Sequence, residues 1–293
     1  MEETFRSGDI KASVAPGLYV AATPIGNLGD VSRRLVDVLG AVDIIYCEDT
    51  RRTGALCAAL GVRTERRAYH DHNAAAVRPE ILARLNDGGA IALVSDAGTP
   101  LISDPGYRLV AEARDAGTDV FAIPGPCAAI AALSVAGVPT DRFLFAGFPP
   151  SKASARDDYL EELAGIRASL VFYETANRLA GSLAAMAKAF GPRQAAIVRE
   201  LTKIHEETVR DRLDKLAARY EAAPPKGEIV VVVGPPTGAA VEASDADVET
   251  FLIDALTVMS VKDAAAAAAD ALGIARKDAY RRAIALKTGG ESG

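Results

Sequence analysis

Along the first half of the chain, hydrophobic and polar positions fall into alternating blocks. Four short runs are apolar almost without a break: residues 18–22 (LYVAA), 42–49 (VDIIYCED), 90–96 (AIALVSD) and 119–125 (DVFAIPG). Strands covered on both faces of a parallel sheet have this look. Between them lie stretches with helical character at residues 31–39, 52–60, 74–86, 106–116 and 127–136. The alternation predicts an α/β domain with a parallel sheet over residues 17–138. The apolar runs end in turn-rich segments, "TPIGNLGD", "CEDTRRT", "SDAGTPLISDPG" and "PGPCAAI". In a parallel sheet such turns gather at the carboxyl edge, where α/β proteins bind ligands.

The pattern then shifts. Residues 137–158 are rich in Pro, Gly and Ser and mark a domain border. A second α/β domain follows over residues 139–236, with strands predicted at 169–174, 194–201, 206–210 and 227–234. Only "TKIH" separates the middle two, which predicts an antiparallel hairpin and hence a mixed sheet. Residues 234–247 read as a linker, and residues 1–16, mixed in charge and without an apolar signal core, as a loose tail. Within a helical region at 245–293, residues 260–286 read as two helices broken at Gly273, with Ser260 and Asp263 as a capping pair. The arrangement has the form of a small helix-turn-helix carrying Arg276, Lys277, Arg281 and Arg282 on or near its second helix.

Composition narrows this picture. A chain of 293 residues, 49% hydrophobic and 25% charged, fits a soluble globular protein of about two domains, and no apolar span is long enough for a membrane helix. Cys47, Cys57 and Cys127 form no CxxC and cannot all pair, which predicts a reduced, cytoplasmic chain with no membrane partner. The net charge of −6 argues against coating nucleic acid in bulk. It leaves room for a local basic patch, because only charges within about 10 Å of a phosphate act on it at ordinary salt.

The turns do not have the chemistry of phosphate binders. There is no GxGxxG and no GxxxxGK[ST]. Pro24, Pro100 and Pro105 remove backbone donors, and Asp96 and Asp104 would repel a pyrophosphate. Prolines and glycines could simply build tight turns, but four such loops on successive strands weaken that account. S-adenosylmethionine suits them better: acids and carbonyls for a sulfonium and an ammonium, free amides for adenine and carboxylate.

The segments "ATPIGNLGDVS", "CEDTRRTG", "HDHN", "LVSDAGTPLISDPGYRLV", "PGPCAAIAALSVAGVPTDRFLFAGF", "FYETANRL", "RELTKIHEE" and "KGEIVVVV" span about residues 17–234 in order. Together they resemble the bacterial small-subunit ribosomal RNA 2′-O-methyltransferase I family, of the tetrapyrrole-methylase fold superfamily. The resemblance implies two α/β domains clasping S-adenosylmethionine in a cleft between them, a homodimer, and a small helical C-terminal region. It implies methylation of a cytidine ribose 2′-oxygen in the decoding region of 16S rRNA in the small ribosomal subunit. The cofactor contacts it implies are Pro24 and Gly26; Ser95, Asp96, Ala97, Gly98 and Ile102; Cys127 and Ala128; and Tyr173, Glu174, Glu200 and Leu201. A tetrapyrrole-type small-molecule methylase on the same fold is the alternative, and a non-enzymatic nucleic-acid binder with a vestigial cleft is a third reading. The arginine-rich "TRRTG" loop and the helical tail favour RNA.

Methyl transfer from a sulfonium depends largely on alignment, and a ribose hydroxyl gains from a base. Candidates for the base are Glu48, Asp49, Glu174 and Glu200, while Arg51, Arg52 and Arg199 suit phosphate or carboxylate contacts. Each of these charges could equally be part of a structural ion pair. His70 and His72 in "YHDHN" invite a metal reading, but His205 is the one further histidine and no cysteine cluster is near, so no metal is expected. A polar edge facing RNA, or an N-cap by Asn73, suits the segment better. Cys127 reads as a small residue that lets a helix approach the cofactor. The basic residues of the tail could be a solvated face, and Arg276, Lys277, Arg281 and Arg282 are taken as RNA contacts together with Arg51 and Arg52.

Overall fold

The computed structural model describes residues 14–103, 106–236, 245–272 and 274–289. Asp104, whose role the sequence leaves open, lies outside the described residues, as do Pro105 and Gly273. The chain divides into two compact units, one before and one after Pro236.

The larger unit contains two five-stranded sheets. The first is built from β1 (Gly17–Ala21), β2 (Ile44–Cys47), β3 (Glu65–Ala68), β4 (Ala90–Val94) and β5 (Val120–Ile123), in the order β3-β2-β4-β1-β5. All its pairings are parallel. β3 is a strand that the apolar pattern did not reveal. Its sequence is ERRA and it lies at the sheet edge, where a strand needs no continuous apolar run.

Strand parity distributes the core. Tyr19, Ile45 and Ala92 face Leu35, Val38 and Leu39 of α1 (Arg33–Ala41) and Cys57 of α2 (Thr50–Ala59). Their neighbours Leu18, Ile44 and Ile91 face Ile81 of α3 (Ala74–Asn86) and Leu109 of α4 (Tyr107–Asp115). With period 2 and helices on both faces, every strand position of the interior must be apolar. β1 and β4 are neighbours whose crossovers leave in opposite directions, to β2 and to β5. Their carboxyl ends therefore open at a topological switch point.

The second sheet runs β6-β7-β10-β8-β9 and contains β6 (Phe143–Gly147), β7 (Ser169–Thr175), β8 (Gln194–Arg199), β9 (Glu207–Arg212) and β10 (Glu228–Val233). β6 pairs parallel with β7 and the remaining pairings are antiparallel, so the sheet is mixed and β8–β9 form the expected hairpin. β6 sits inside the Pro/Gly/Ser-rich segment, where the turn residues flanking "FLFAG" hide it. Three helices cover one face: α6 (Ala153–Ala164), α7 (Leu179–Phe190) and α8 (Leu213–Ala222), through Leu160, Leu183, Met186 and Leu216. The other face, Val171, Ala196, Val198, Val230 and Val232, packs on Ala129, Ala132, Leu133 and Ala136 at α5 (Ala128–Val135). α5 follows β5 of the first sheet, so the two sheets share this core. Each fully buried Val or Leu there contributes roughly 1.5–3 kcal/mol.

Among the described residues the smaller unit has three helices, α9 (Asp245–Leu256), α10 (Val261–Leu272) and α11 (Arg276–Gly289), around Val248, Leu252, Ala264, Ala268, Ala279 and Ala283. α9 begins within residues that read as linker, so the region holds a helix more than the sequence pattern predicts. Its acidic start, with Asp245 and Asp247 in the first turn, carries little apolar signal. The capping pair is present: Ser260 Oγ accepts from the Asp263 amide at 3.2 Å and donates to Asp263 Oδ2 at 2.7 Å.

Candidate active site

The two Thr-Pro loops at the ends of β1 and β4 are stitched into one surface. The Thr23 amide donates to Gly98 O at 2.9 Å and the Gly98 amide to Thr23 O at 3.1 Å. Thr23 Oγ1 donates to Ser95 O at 3.2 Å, Ser95 Oγ to Gly98 O at 3.0 Å, and Thr99 Oγ1 to Pro126 O at 3.0 Å. The prolines thus remove donors that these turns do not need, while the threonines tie three loops together. Gly98 has φ +88°, and a Cβ there would press on Ile25 Cγ2 at 3.3 Å. Across the cleft, Tyr173 Oη accepts from the Ala129 amide at 3.2 Å and fixes the start of α5 against β7.

Between these loops and the second sheet lies a cavity of about 350 Å³. Of the residues expected at the cofactor, Asp96, Ala97, Gly98, Ile102, Ala128, Tyr173, Glu174 and Leu201 line it. Pro24, Gly26, Ser95, Cys127 and Glu200 do not. Ser95 is buried beneath the second loop, Cys127 is the N-cap residue of α5, and Ile25 presents the side chain of the first loop to the cavity. The sequence reading missed Ile25, Phe148, Val198, Glu228 and Val230, among others. Parity was the available signal. Tyr173 shares its face of β7 with Val171, and Val198 and Val230 occupy the same face on β8 and β10.

A second, open basin is lined by Glu48, Asp49, Arg51, Arg52, His70 and His72, and again by Asp96. Asp96 is the residue common to both. Its Oδ1 accepts from the Asp49 amide at 2.9 Å, and Arg52 Nη1 lies 3.6 Å from its Oδ2. Asp49 caps α2 by accepting from the Arg51 amide at 2.8 Å, and the Arg51 guanidinium grips the same carboxylate at 2.8 and 3.1 Å. These bonds hold the Asp49 carboxyl well below the usual carboxylate range.

The other candidate acids are also engaged. Glu174 is buried, accepting from the Thr175 amide at 2.8 Å and from Ser182 Oγ, with Arg178 Nε at 3.4 Å. Glu200 accepts from the Glu228 amide at 2.9 Å and from Lys203 Nζ at 3.0 Å, which lower its pKa. Arg199 pairs with Glu207 at 3.1 Å. Among the described residues, Glu48 alone of the four candidate acids is exposed and has neither a hydrogen bond to its carboxylate nor an ion pair.

Asn73 stands at the N-cap of α3 but does not cap it with its side chain. Its backbone is near-helical there, and its amide group turns back to accept from the His70 amide at 2.8 Å and donate to Ala68 O at 3.0 Å. The turn carrying His70 and His72 is thereby fixed at the basin, with the two rings edge-on at 6.0 Å. Among the described residues, no three His, Cys, Asp or Glu side chains are grouped to hold a metal ion. On α11, Arg276 and Lys277 are exposed, while Arg281 pairs with Asp278 at 2.7 Å and Arg282 with Asp245 at 2.5 Å.

Comparison with known proteins agrees with this architecture. Residues 17–217 match the family described as Tetrapyrrole (Corrin/Porphyrin) Methylases, and residues 242–287 match the RsmI C-terminal HTH domain. The chain is 50% identical over 279 residues to ribosomal RNA small subunit methyltransferase I of Mesorhizobium japonicum, covering 94% of each chain. It is 53% identical over 275 residues to the protein of that name from Erythrobacter litoralis, covering 94% of this chain and 97% of the other. Among solved structures, uroporphyrin-III C-methyltransferase from Thermus thermophilus complexed with S-adenyl homocysteine shares the fold. Its TM-score is 0.52 at 16% identity, over 74% of this chain and 97% of that one.

Proposed function

The chain belongs to the ribosomal RNA small subunit methyltransferase I family, and from that premise we propose that it uses S-adenosylmethionine to methylate the ribose 2′-oxygen of a cytidine in the decoding region of 16S rRNA. The observation that carries the reading is Asp96, the residue shared by the cavity and the open basin. When bound, S-adenosylmethionine supplies a methyl group on a positively charged sulfur, which leaves as a neutral thioether. The apolar wall of Ile25, Leu201 and Val230 suits the adenine, and small residues at Ala97, Gly98 and Ala128 leave room for it. The Asp96 carboxylate at the rim suits the positive end of the donor.

The acceptor nucleotide then belongs in the basin, where Arg51 and Arg52 can exchange their carboxylate partners for RNA phosphates. Glu48 is our assignment for the group that orients or deprotonates the 2′-hydroxyl, because its carboxylate is uncommitted. Glu174 and Glu200, bound to their own neighbours, support the cavity wall. Arg276, Lys277, Arg281 and Arg282 on α11 are proposed to grip rRNA. A cytoplasmic homodimer acting on the small ribosomal subunit is the proposed working form. It rests on the family resemblance, alongside the observation that no described helix is long and apolar enough to cross a membrane.

The test is incubation with radiolabelled S-adenosylmethionine and small ribosomal subunits, with label mapped by nuclease and hydrolysis products. Label on a cytidine ribose is the expected result. Label confined to a tetrapyrrole would favour a small-molecule methylase on the same fold, and no transfer at all would overturn the enzyme reading. Removing residues 237–293 as a whole, since α9 shares its core with α10 and α11, is expected to weaken rRNA methylation more than cofactor binding.

A further inference from the structure

The loop between β8 and β9, residues 200–206, is held in a conformation that its sequence disfavours. Glu200 and Thr202 both have positive φ, 51° and 66°, with a Cβ at each. The contacts that offset this strain converge on the cavity rim. The Glu200 amide donates to Glu228 O at 3.0 Å, the Glu228 amide returns a bond to Glu200 Oε1, and Lys203 Nζ sits between Glu200 Oε1 at 3.0 Å and Glu228 Oε2 at 2.8 Å. Burial works against the charged Lys203, but the two carboxylates outweigh it and raise its pKa.

The stem of Lys203 crosses to the other half of the unit. It lies over Gly26 in the loop after β1, where a Cβ would come within 2.6 Å of Lys203 Cγ and 3.1 Å of Thr202 Oγ1. A Cβ at Gly227 would likewise collide with the Glu200 carboxylate. Both glycines are therefore seats for this loop. Ile25, Leu201, Gly227 and Glu228, beside these contacts, all line the cavity. The closed arrangement also leaves Thr202 Oγ1 buried without a hydrogen-bond partner. That is a cost which an opened loop would not carry. A strained segment and one unsatisfied hydroxyl oppose a partly exposed ion cluster, the balance from which a second, opened position is inferred.

We propose that Lys203 is a positioning residue that latches the cavity, holding the first loop against the second sheet while its ammonium is seated between Glu200 and Glu228. Unseating it opens the rim for entry of the methyl donor and release of the demethylated product. The proposal rests on the reading of the cavity as the methyl-donor site.

The test is the dissociation rate of S-adenosylhomocysteine from the full-length protein without RNA, at about 0.05 M and about 0.5 M salt. Wild-type release is expected to accelerate with salt as the cluster is screened. Lys203→Met, which keeps the stem and removes the charge, should release the ligand about five- to tenfold faster at low salt, lose the salt dependence and melt at nearly the wild-type temperature. Gly26→Ala should reproduce the faster release with every charge intact. A Lys203→Met rate within about twofold of wild type, retained salt dependence, or a faster rate matched by a lower melting temperature would overturn the latch. Wild-type protein that binds no S-adenosylhomocysteine would overturn the methyl-donor reading and the latch with it, whereas normal binding with an unaltered variant removes the latch alone.

Discussion

The first sheet meets the cavity with its carboxyl edge, and the second meets it with a face. In the first, helices cover both sides, so the strands are spent on the core and the cavity is lined by the loops, Asp96 among them. In the second, helices cover one side, and the other carries Tyr173, Val198 and Val230 toward α5 and the cavity. The difference divides the labour. The edge supplies turn backbone and the Asp96 carboxylate, and the face supplies most of the apolar surface, with Glu174 and Glu228 charged at its strand ends. Variants on the two sides should therefore fail in different ways.

The largest effect is expected at the edge. Asp96→Asn keeps an acceptor for the Asp49 amide and the shape of the side chain but removes the charge proposed to face the donor. A charged contact of this kind is worth roughly 1.5–3 kcal/mol, so catalytic efficiency should fall about tenfold to a hundredfold with the melting temperature almost unchanged. Initial rates beside a thermal melt check it, and a variant with wild-type efficiency would break the assignment of a charged contact to Asp96. On the face, Ala132→Leu should act through packing. Ala132 is fully buried against the second sheet, and forcing extra methyl groups there costs about 1–3 kcal/mol. Stability and cofactor affinity should fall together in denaturant and calorimetric titrations. Loss of activity without loss of stability would contradict the comparison.

How far the sequence revealed these two halves follows from the same division. The parallel sheet was legible because double coverage leaves near-continuous apolar runs, and the loops after β1 and β4 stood out by their repeated Thr-Pro. β3 was missed because an edge strand reading ERRA has no such run, and β6 because turn residues flank it. In the site, Asp96 and Gly98 could be read from their loop, whereas Phe148 and Glu228 are brought in by tertiary pairing alone. Glu200 shows the reverse problem. A carboxylate near the right strand end was visible, but its engagement by Lys203 and the Glu228 amide depends on β10 and on Gly227, far along the chain.

A smaller effect should come from the contact that joins edge to face. Tyr173→Phe removes the oxygen that accepts from the Ala129 amide. A neutral hydrogen bond of this kind contributes about 0.5–1.5 kcal/mol. KM for S-adenosylmethionine is expected to rise about two- to tenfold with kcat little changed, since α5 is loosened while the Asp96 charge remains. An unchanged KM would show that this bond does not set the cavity wall.

The smallest effect is expected in acid, and it separates the second sheet's ion cluster from its apolar face. The Glu228 amide and Lys203 lower the folded-state pKa of Glu200 below its ordinary value. A group depressed on folding binds fewer protons in the native state, so its contribution is fully present above the unfolded carboxylate pKa and is lost as pH falls through the folded value. Wild-type stability should accordingly decline as pH drops below the ordinary glutamate range, and Glu200→Gln should flatten that part of the profile. At neutral pH the variant still offers an oxygen to the Glu228 amide but loses the ion pair with Lys203. The two melting curves should therefore differ by only a small shift, greatest at neutral pH, and converge in acid. Parallel curves across that range would mean that the Glu200–Lys203–Glu228 cluster holds the rim by shape rather than by charge.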